Sequence, residues 1–372
     1  MEKLGKKIAT IIWNGFIFGG LGFSSAQAVT LKFEKLDRVV LSEKKFKKTK
    51  IGGLSALSIS NNKIYALSDD RGRVNRPRMY VFNLNIEKDR IEIHPEKVIF
   101  INSHENQEDI YLDGEGLIPL PGGNWLVSCE GDNNHKPRRP PRLVEINPEG
   151  QWQKNWKIPD FLVPENAGLQ TRGILNNSGM EGLAINEDQS RVVAIVERPL
   201  QQDLNEVAPA GFLRVLEFRK IESPKGENKI LENFEIYQNY FYPLAAPVGQ
   251  VPTIFPGASE ILQWKDQIFL VLERGLRMEI GSKPKYMANI FSINLSEAET
   301  VNETKNLRKE KQFFLRKNLA LSLDVEDTEN FEGLAWGPAW KGYSRTLWIM
   351  NDNNFSKKEE NVFLVYGVKE SF

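Results

Sequence analysis

Five copies of a short unit place acidic residues at regular positions along this chain. The clearest copy is Asn330-Phe331-Glu332-Gly333-Leu334-Ala335, which after one turn returns as Ile349-Met350-Asn351-Asp352-Asn353. A glutamate-glycine step opens an apolar run, the chain reverses, and a second apolar run closes on an acid. Copy two is Asp113-Gly114-Glu115-Gly116-Leu117 with Trp125 to Glu130, and copy three is Gly179-Met180-Glu181-Gly182-Leu183 with Val192 to Glu197-Arg198. Copy four is Ala258-Ser259-Glu260-Ile261-Leu262 with Ile268 to Glu273-Arg274-Gly275. Copy one, Gly53-Leu54-Ser55-Ala56-Leu57 with Ile64 to Asp69-Asp70-Arg71-Gly72, has serine where the others have glutamate.

In an antiparallel hairpin the start of the first strand lies beside the end of the second. The two acids of each unit therefore belong at one end of the hairpin. If the five hairpins form a ring, up to nine carboxylates meet at one mouth: Glu115, Glu181, Glu260 and Glu332 from the first strands, and Asp70, Glu130, Glu197, Glu273 and Asp352 from the second. Like charges at such density raise pKa values or demand cations. An all-oxygen donor set suits Ca²⁺, and the expected ligands are Glu115, Glu181, Glu260, Glu332, Glu197, Glu273, Asp70 and Asp352. Arginine is the other means of neutralisation, since Asp70-Arg71, Glu197-Arg198 and Glu273-Arg274 each set a guanidinium directly after the acid. An architectural ring, in which the acids cap strand ends and accept backbone N–H bonds, is the alternative.

The chemistry such a mouth could support is metal-assisted hydrolysis of a phosphoester or another anionic ester. Glu332, Glu181 and Asp352 are the expected acid-base residues, with Arg71, Arg198 and Arg274 stabilising developing charge. The basic loops Arg71 to Arg78 and His135 to Arg142 follow two of the acids, and Arg71, Arg73, Arg138 and Arg139 are candidate clamps for substrate oxygens. Other classes fit less well. There is no Gly-x-Ser-x-Gly elbow, and the three histidines, His94, His104 and His135, match no zinc spacing. A non-catalytic module binding calcium or a ligand is the rival reading.

The elements that must position these residues are strands. Short runs rich in Val, Ile, Leu and aromatics alternate with Asn, Gly, Pro and Asp turns, and each hairpin is followed by a further strand candidate: Arg78 to Leu84, Arg142 to Ile146, Leu213 to Phe218, Asn289 to Leu295 and Asn361 to Val368. Glu96 to Ile101 and Lys311 to Arg316 could supply fourth strands. The fold class is all-β, a single β-propeller of five or six four-stranded blades. The aromatic-rich Phe234 to Tyr242, in the long interval between Glu181 and Glu260, leaves room for a sixth. Closure is expected from pairing of the N-terminal strand near Val39 with the C-terminal Val362 to Val365, because an open ring would expose strand edges.

Residues 1–28 read as a secretory signal: Lys3, Lys6 and Lys7 precede the apolar Ile8 to Phe23, and Ala26-Gln27-Ala28 has the small-x-small form of a cleavage site. The expected product, residues 29–372, is exported, to the periplasm or outside the cell, with no stable membrane insertion. Lys plus Arg and Asp plus Glu number 49 each, so no global field favours nucleic acid. A monomer acting on a small anionic or ester substrate is expected. Cys129 is the one cysteine, so stability must come from core burial or bound ions rather than from an internal disulfide.

At these motifs the chain resembles the phytase-like domain family, exported bacterial proteins with an esterase-like activity. The resemblance is carried by Gly52-Gly53-Leu54-Ser55 with Ala66 to Arg71, Asp113-Gly114-Glu115-Gly116, Gly179 to Ala184 with Glu197-Arg198-Pro199-Leu200, Leu272-Glu273-Arg274, and Asn330 to Pro338 with Asn351 to Phe355. It implies a propeller and a hydrolase. The alkaline calcium-dependent propeller phytases are a separate group: no Asp-Ala-Asp-Asp-Pro-Ala type signature occurs here, so the resemblance does not by itself imply phytate as the substrate.

Overall fold

The computed structural model describes residues 9–10, 30–102, 111–204, 211–221, 233–244, 253–277, 281, 284–298, 315–323 and 329–371. Five four-stranded antiparallel sheets form a five-bladed β-propeller. Each opens with one of the repeated hairpins, because the turn residues between the two apolar runs reverse the chain within a few positions. The first blade is Leu54–Ser60, Lys63–Ser68, Arg78–Ile86 and Ile91–Phe100; the second is Gly114–Pro119, Trp125–Cys129, Arg142–Ile146 and Trp152–Asn155. The third is Met180–Ile185, Arg191–Val196, Phe212–Ile221 and Asn233–Pro243, and the fourth is Thr253–Lys265, Ile268–Arg277, Lys285–Asn294 and Lys317–Ser322. The fifth is Phe331–Gly337, Thr346–Asn351, Val362–Ser371 and, from the other end of the chain, Thr30–Val40.

This settles the blade count at five. Phe234 to Tyr242 is not a sixth blade but the outermost strand of the third, paired along Phe212–Ile221. The expected fourth strand at Lys311 to Arg316 is also displaced: the outer strand of blade four is Lys317–Ser322, and residues 311–314 fall outside the described part. The ring closes as anticipated, with Arg38, Val39 and Val40 facing Leu364, Phe363 and Val362. Of the expected signal, only Ala9–Thr10 is described, paired with Phe33 and Lys32 at the edge of the fifth sheet. Among the described residues no helix is long and apolar enough to cross a membrane.

The core is divided among the blade interfaces. Five clusters of buried side chains each join two neighbours; Phe331, Leu334 and Ile349 of the fifth blade, for example, pack with Leu270, Leu272 and Ile290 of the fourth and with Leu31 and Phe33 of the closing strand. The inner strands of blades one, two, three and five are buried on both faces over most of their length. Below the acids, Leu57, Leu117, Leu183 and Leu334 line the opposite mouth of the channel, together with polar side chains such as Gln263 and Arg345. Cys129 is fully buried in the cluster between blades one and two.

Candidate functional site

A β-bulge at the start of each inner strand sets the site. Phe331 pairs with Asn351 and Gly333 with Met350, leaving Glu332 as the extra residue. Glu115 is likewise skipped between Gly114 and Gly116, and Ser55 between Leu54 and Ala56. In blade three the irregularity spans Glu181 and Gly182. A bulged residue re-aims its side chain, here toward the channel axis.

The second strand ends with a matching backbone hydrogen bond. Asp69 N donates to Gly53 O (2.8 Å), Glu130 N to Asp113 O (3.0 Å), Glu197 N to Gly179 O (2.9 Å) and Asp352 N to Asn330 O (2.8 Å). These four acids are therefore equivalent. In blade one the ring acid is Asp69, not Asp70 as the acid-arginine pairing suggested. Asp70 turns away to accept from Gly72 N (2.8 Å), Asn75 N (3.0 Å) and the buried Arg78 guanidinium, and so braces its own loop.

Blade four departs by one residue. Ala258 pairs with Glu273, Gly257 with Arg274 and Glu260 with Leu272, so Ser259 is the skipped residue and Arg274 takes the place of the ring acid. Glu260 occupies the position that is glycine in blades two, three and five. Its carboxylate accepts from Leu183 N and Ile261 N, both at 3.0 Å, and it lies over Gly182, where an added Cβ would stand 2.4 Å from Glu260 Oε1. Glu273 accepts from Tyr242 Oη and Lys317 Nζ at the interface of blades three and four. Neither Glu260 nor Glu273 lines the cleft, because a one-residue change of register moves a side chain to the other face.

The cleft at this mouth has a volume of about 310 Å³. Asp69, Glu115, Glu130, Glu181, Glu332 and Asp352 line it, with Arg71, Arg198 and Arg274 among them. Arg71 Nε is 2.8 Å from Asp113 Oδ1 and its Nη2 is 3.5 Å from Glu130 Oε2. Arg274 Nη2 is 2.9 Å from Glu332 Oε1 and 3.5 Å from Glu197 Oε1, which Arg198 Nη2 also approaches at 3.5 Å. Asn330 Nδ2 donates to Glu332 Oε1 at 2.7 Å.

The acids outnumber the guanidiniums, and their protonation reflects it. Burial, then Glu332 and Asp113, push Asp69 up to about 8. Burial and the neighbouring acids hold Glu115, Glu130, Glu181 and Asp352 well above the usual carboxylate range. Glu332 is raised by burial and held back by Arg274 and Asn330.

Glu130, Glu181 and Glu197 are 2%, 2% and 1% exposed, and the Oε2 of each has no hydrogen-bond partner. One oxygen from each lies within 4.8 Å of the others. Buried acceptors without donors are costly, and an all-oxygen set of this kind fits a hard divalent cation. Asp69, Asp113 and Glu115 form a second such group.

The expected substrate clamps fare unevenly. Arg71 reaches the cleft, but Arg73 is exposed on its loop and does not line it. Arg138 donates to Glu165 O (2.7 Å) and Gly168 O (2.6 Å), stapling a loop, and Arg139 lies over the Tyr111 ring at 4.5 Å. Neither lines the cleft, because in both the guanidinium is turned to its own surroundings. Asp69, Asp113, Asn177 and Asn330 were not among the expected site residues. Asp69 could have been found by aligning the strand ends Ser68-Asp69, Cys129-Glu130, Val196-Glu197 and Asn351-Asp352.

Solved structures similar to this chain include a putative oxidoreductase (glucose dehydrogenase) from Thermus thermophilus, at 14% identity over 97% of this chain and 100% of that one, with a TM-score of 0.37. A protein of unknown function from Dyadobacter fermentans is 9% identical over 91% and 99%, with a TM-score of 0.38. An α-L-arabinanase from Penicillium chrysogenum, complexed with arabinobiose, is 7% identical over 85% and 80%, with a TM-score of 0.42. At such identities and scores none of their activities transfers to this chain. No curated protein matches it. The family described as phytase-like, esterase-like activity of phytase, matches residues 49–355, and the chain, covered over most of its length, belongs to that family.

Proposed function

We propose that the protein is a hydrolase of phosphoesters or other anionic esters that works with a divalent cation, Ca²⁺ by the chemistry of the donors, at the acidic mouth of its channel. The observation that carries this reading is the trio of buried carboxylate oxygens on Glu130, Glu181 and Glu197 that lack hydrogen-bond partners. Family membership supports an ester as the substrate. A cation held there would polarise the substrate oxygen and acidify a bound water.

The chain's own residues supply the rest. Arg71, Arg198 and Arg274 offer guanidinium groups to an anionic substrate. Glu332, raised by burial but anchored by Arg274 and Asn330, is the proton acceptor in this reading. Asp352, whose Oδ1 accepts from Asn354 N at 2.7 Å, stands beside it in the same blade as a second acid. The proposed setting is a monomer outside the cytoplasm acting on a small substrate.

The test is turnover of p-nitrophenyl phosphate and p-nitrophenyl acetate by chelator-treated protein, with and without added Ca²⁺, beside a Glu332→Gln variant. Calcium-dependent cleavage that Glu332→Gln loses supports the reading. If calcium raises the melting temperature and neither ester is cleaved, the mouth is a binding site and the hydrolase reading fails.

A further inference from the structure

The geometry points to a second cation site in the same channel, made by Asp69, Asp113 and Glu115 and separate from the Glu130, Glu181 and Glu197 site; it rests on the cation-dependent reading above. Each of the three residues brings one oxygen within 4.8 Å of the other two. Glu115 is 5% exposed, lines the cleft, and makes no hydrogen bond or ion pair with any described residue. A carboxylate that faces a polar cleft and is given no donor by the described residues leaves its oxygens open to a ligand in that cleft.

The third ligand is held as a metal ligand would be. Asp113 Oδ1 accepts from Arg71 Nε at 2.8 Å, and its Oδ2 accepts from Tyr111 Oη at 3.2 Å. Such outer contacts orient a ligating carboxylate and leave its remaining lone pairs for an ion. Arg71 also touches both groups, reaching Asp113 of one and Glu130 of the other.

Charge points the same way. Asp69, Asp113, Glu115, Glu130, Glu181, Glu197, Glu332 and Asp352 are eight carboxylates, against the three guanidiniums of Arg71, Arg198 and Arg274. If all are ionised the formal excess is five negative charges; one divalent cation leaves three and two leave one. The excess is also uneven. Arg274 stands in the ring of blade four and pairs with Glu332 of blade five, so that side carries its own compensation. Most of the excess lies on blades one to three, where Asp69, Asp113, Glu115, Glu130, Glu181 and Glu197 face only Arg71 and Arg198 and where both trios are.

Counting bound ions tests this. Full-length protein stripped with chelator, dialysed against buffered Ca²⁺ and analysed for metal should hold two ions per chain. Glu115→Gln and Asp69→Asn should each hold one, and Glu181→Gln one. Far-UV circular dichroism, with the ion each variant retains, reports that it is folded, and isothermal titration of the unmutated protein counts the sites without any variant. A single ion in the unmutated protein, or two in Glu115→Gln, overturns the second site. No ion at all overturns both this site and the cation-dependent reading. Two ions with no ester turnover overturns the hydrolase reading alone and upholds the second site.

Discussion

Arg274 stands in the fourth blade where Asp352 stands in the fifth, and its Nη2 lies 2.9 Å from Glu332 Oε1 of that fifth blade. The propeller therefore supplies one of its ring positions with a cation of its own. Glu332 is buried, and without that guanidinium Asn330 is its one close side-chain donor among the described residues. Arg274→Gln is expected to destabilise the fold by about 3 kcal/mol, the cost of leaving a buried partner uncompensated. Ester turnover should fall by roughly a hundredfold if the guanidinium stabilises developing charge. Denaturant unfolding and steady-state rates check the two effects, and unchanged stability would show that the pair contributes nothing.

The fold was legible because its signals are local. Hairpin turns and apolar alternation mark the strands, and recurrence of one unit marks the blades, so closure near Val39 could be anticipated from the two unpaired ends. The facing of each acid was less legible. Asp70-Arg71, Glu197-Arg198 and Glu273-Arg274 look alike in sequence, yet only Glu197 of the three acids joins the ring. The bulge at Ser55 and the shifted bulge at Ser259 decide which neighbour points inward, and composition carries no trace of a one-residue shift. The arginine-rich loop around Arg138 misled for another reason: its guanidinium satisfies the carbonyls of Glu165 and Gly168, a use that sequence does not distinguish from substrate binding.

Glu260 provides a test of that correction. It accepts backbone N–H groups of blades three and four, so removing it leaves buried donors unsatisfied. Glu260→Ala should cost about 1–3 kcal/mol, whereas Glu260→Gln, which keeps an acceptor oxygen, should cost less. Neither should change the number of calcium ions bound. Loss of an ion in folded Glu260→Gln would return this residue to the cation site.

The closing strand makes a separate prediction. Phe33 is 2% exposed, packs in the cluster between blades four and five, and pairs with Val368. Phe33→Ala should lower stability by about 3–5 kcal/mol. Because loosening this strand exposes the edge of Val362–Ser371, the variant should also aggregate more readily on warming. Light scattering during a thermal ramp measures this, and a Phe33→Ala protein that melts like the original would mean that the strand does not hold the ring closed.

The dependence of stability on pH follows from the crowded acids. Asp69 rises to about 8 in the folded chain from an ordinary value near 4, and Glu115, Glu130, Glu181 and Asp352 are raised as well. For an acid whose folded pKa is raised, the stabilising contribution is complete below the unfolded pKa and is lost as pH rises through the folded one. Without a cation the melting temperature should therefore fall between pH 5 and pH 9, as buried carboxylates are forced to ionise beside one another. Calcium acts in the opposite sense, since it binds the ionised ligands and stabilises the folded state in proportion to its occupancy. The calcium-induced rise in melting temperature should thus grow with pH, from little at pH 5 to its largest at pH 9. Thermal scans in chelator and in excess Ca²⁺ at pH 5, 7 and 9 measure both trends, and a melting temperature in chelator that stays level or climbs with pH would contradict the protonation assigned to this ring.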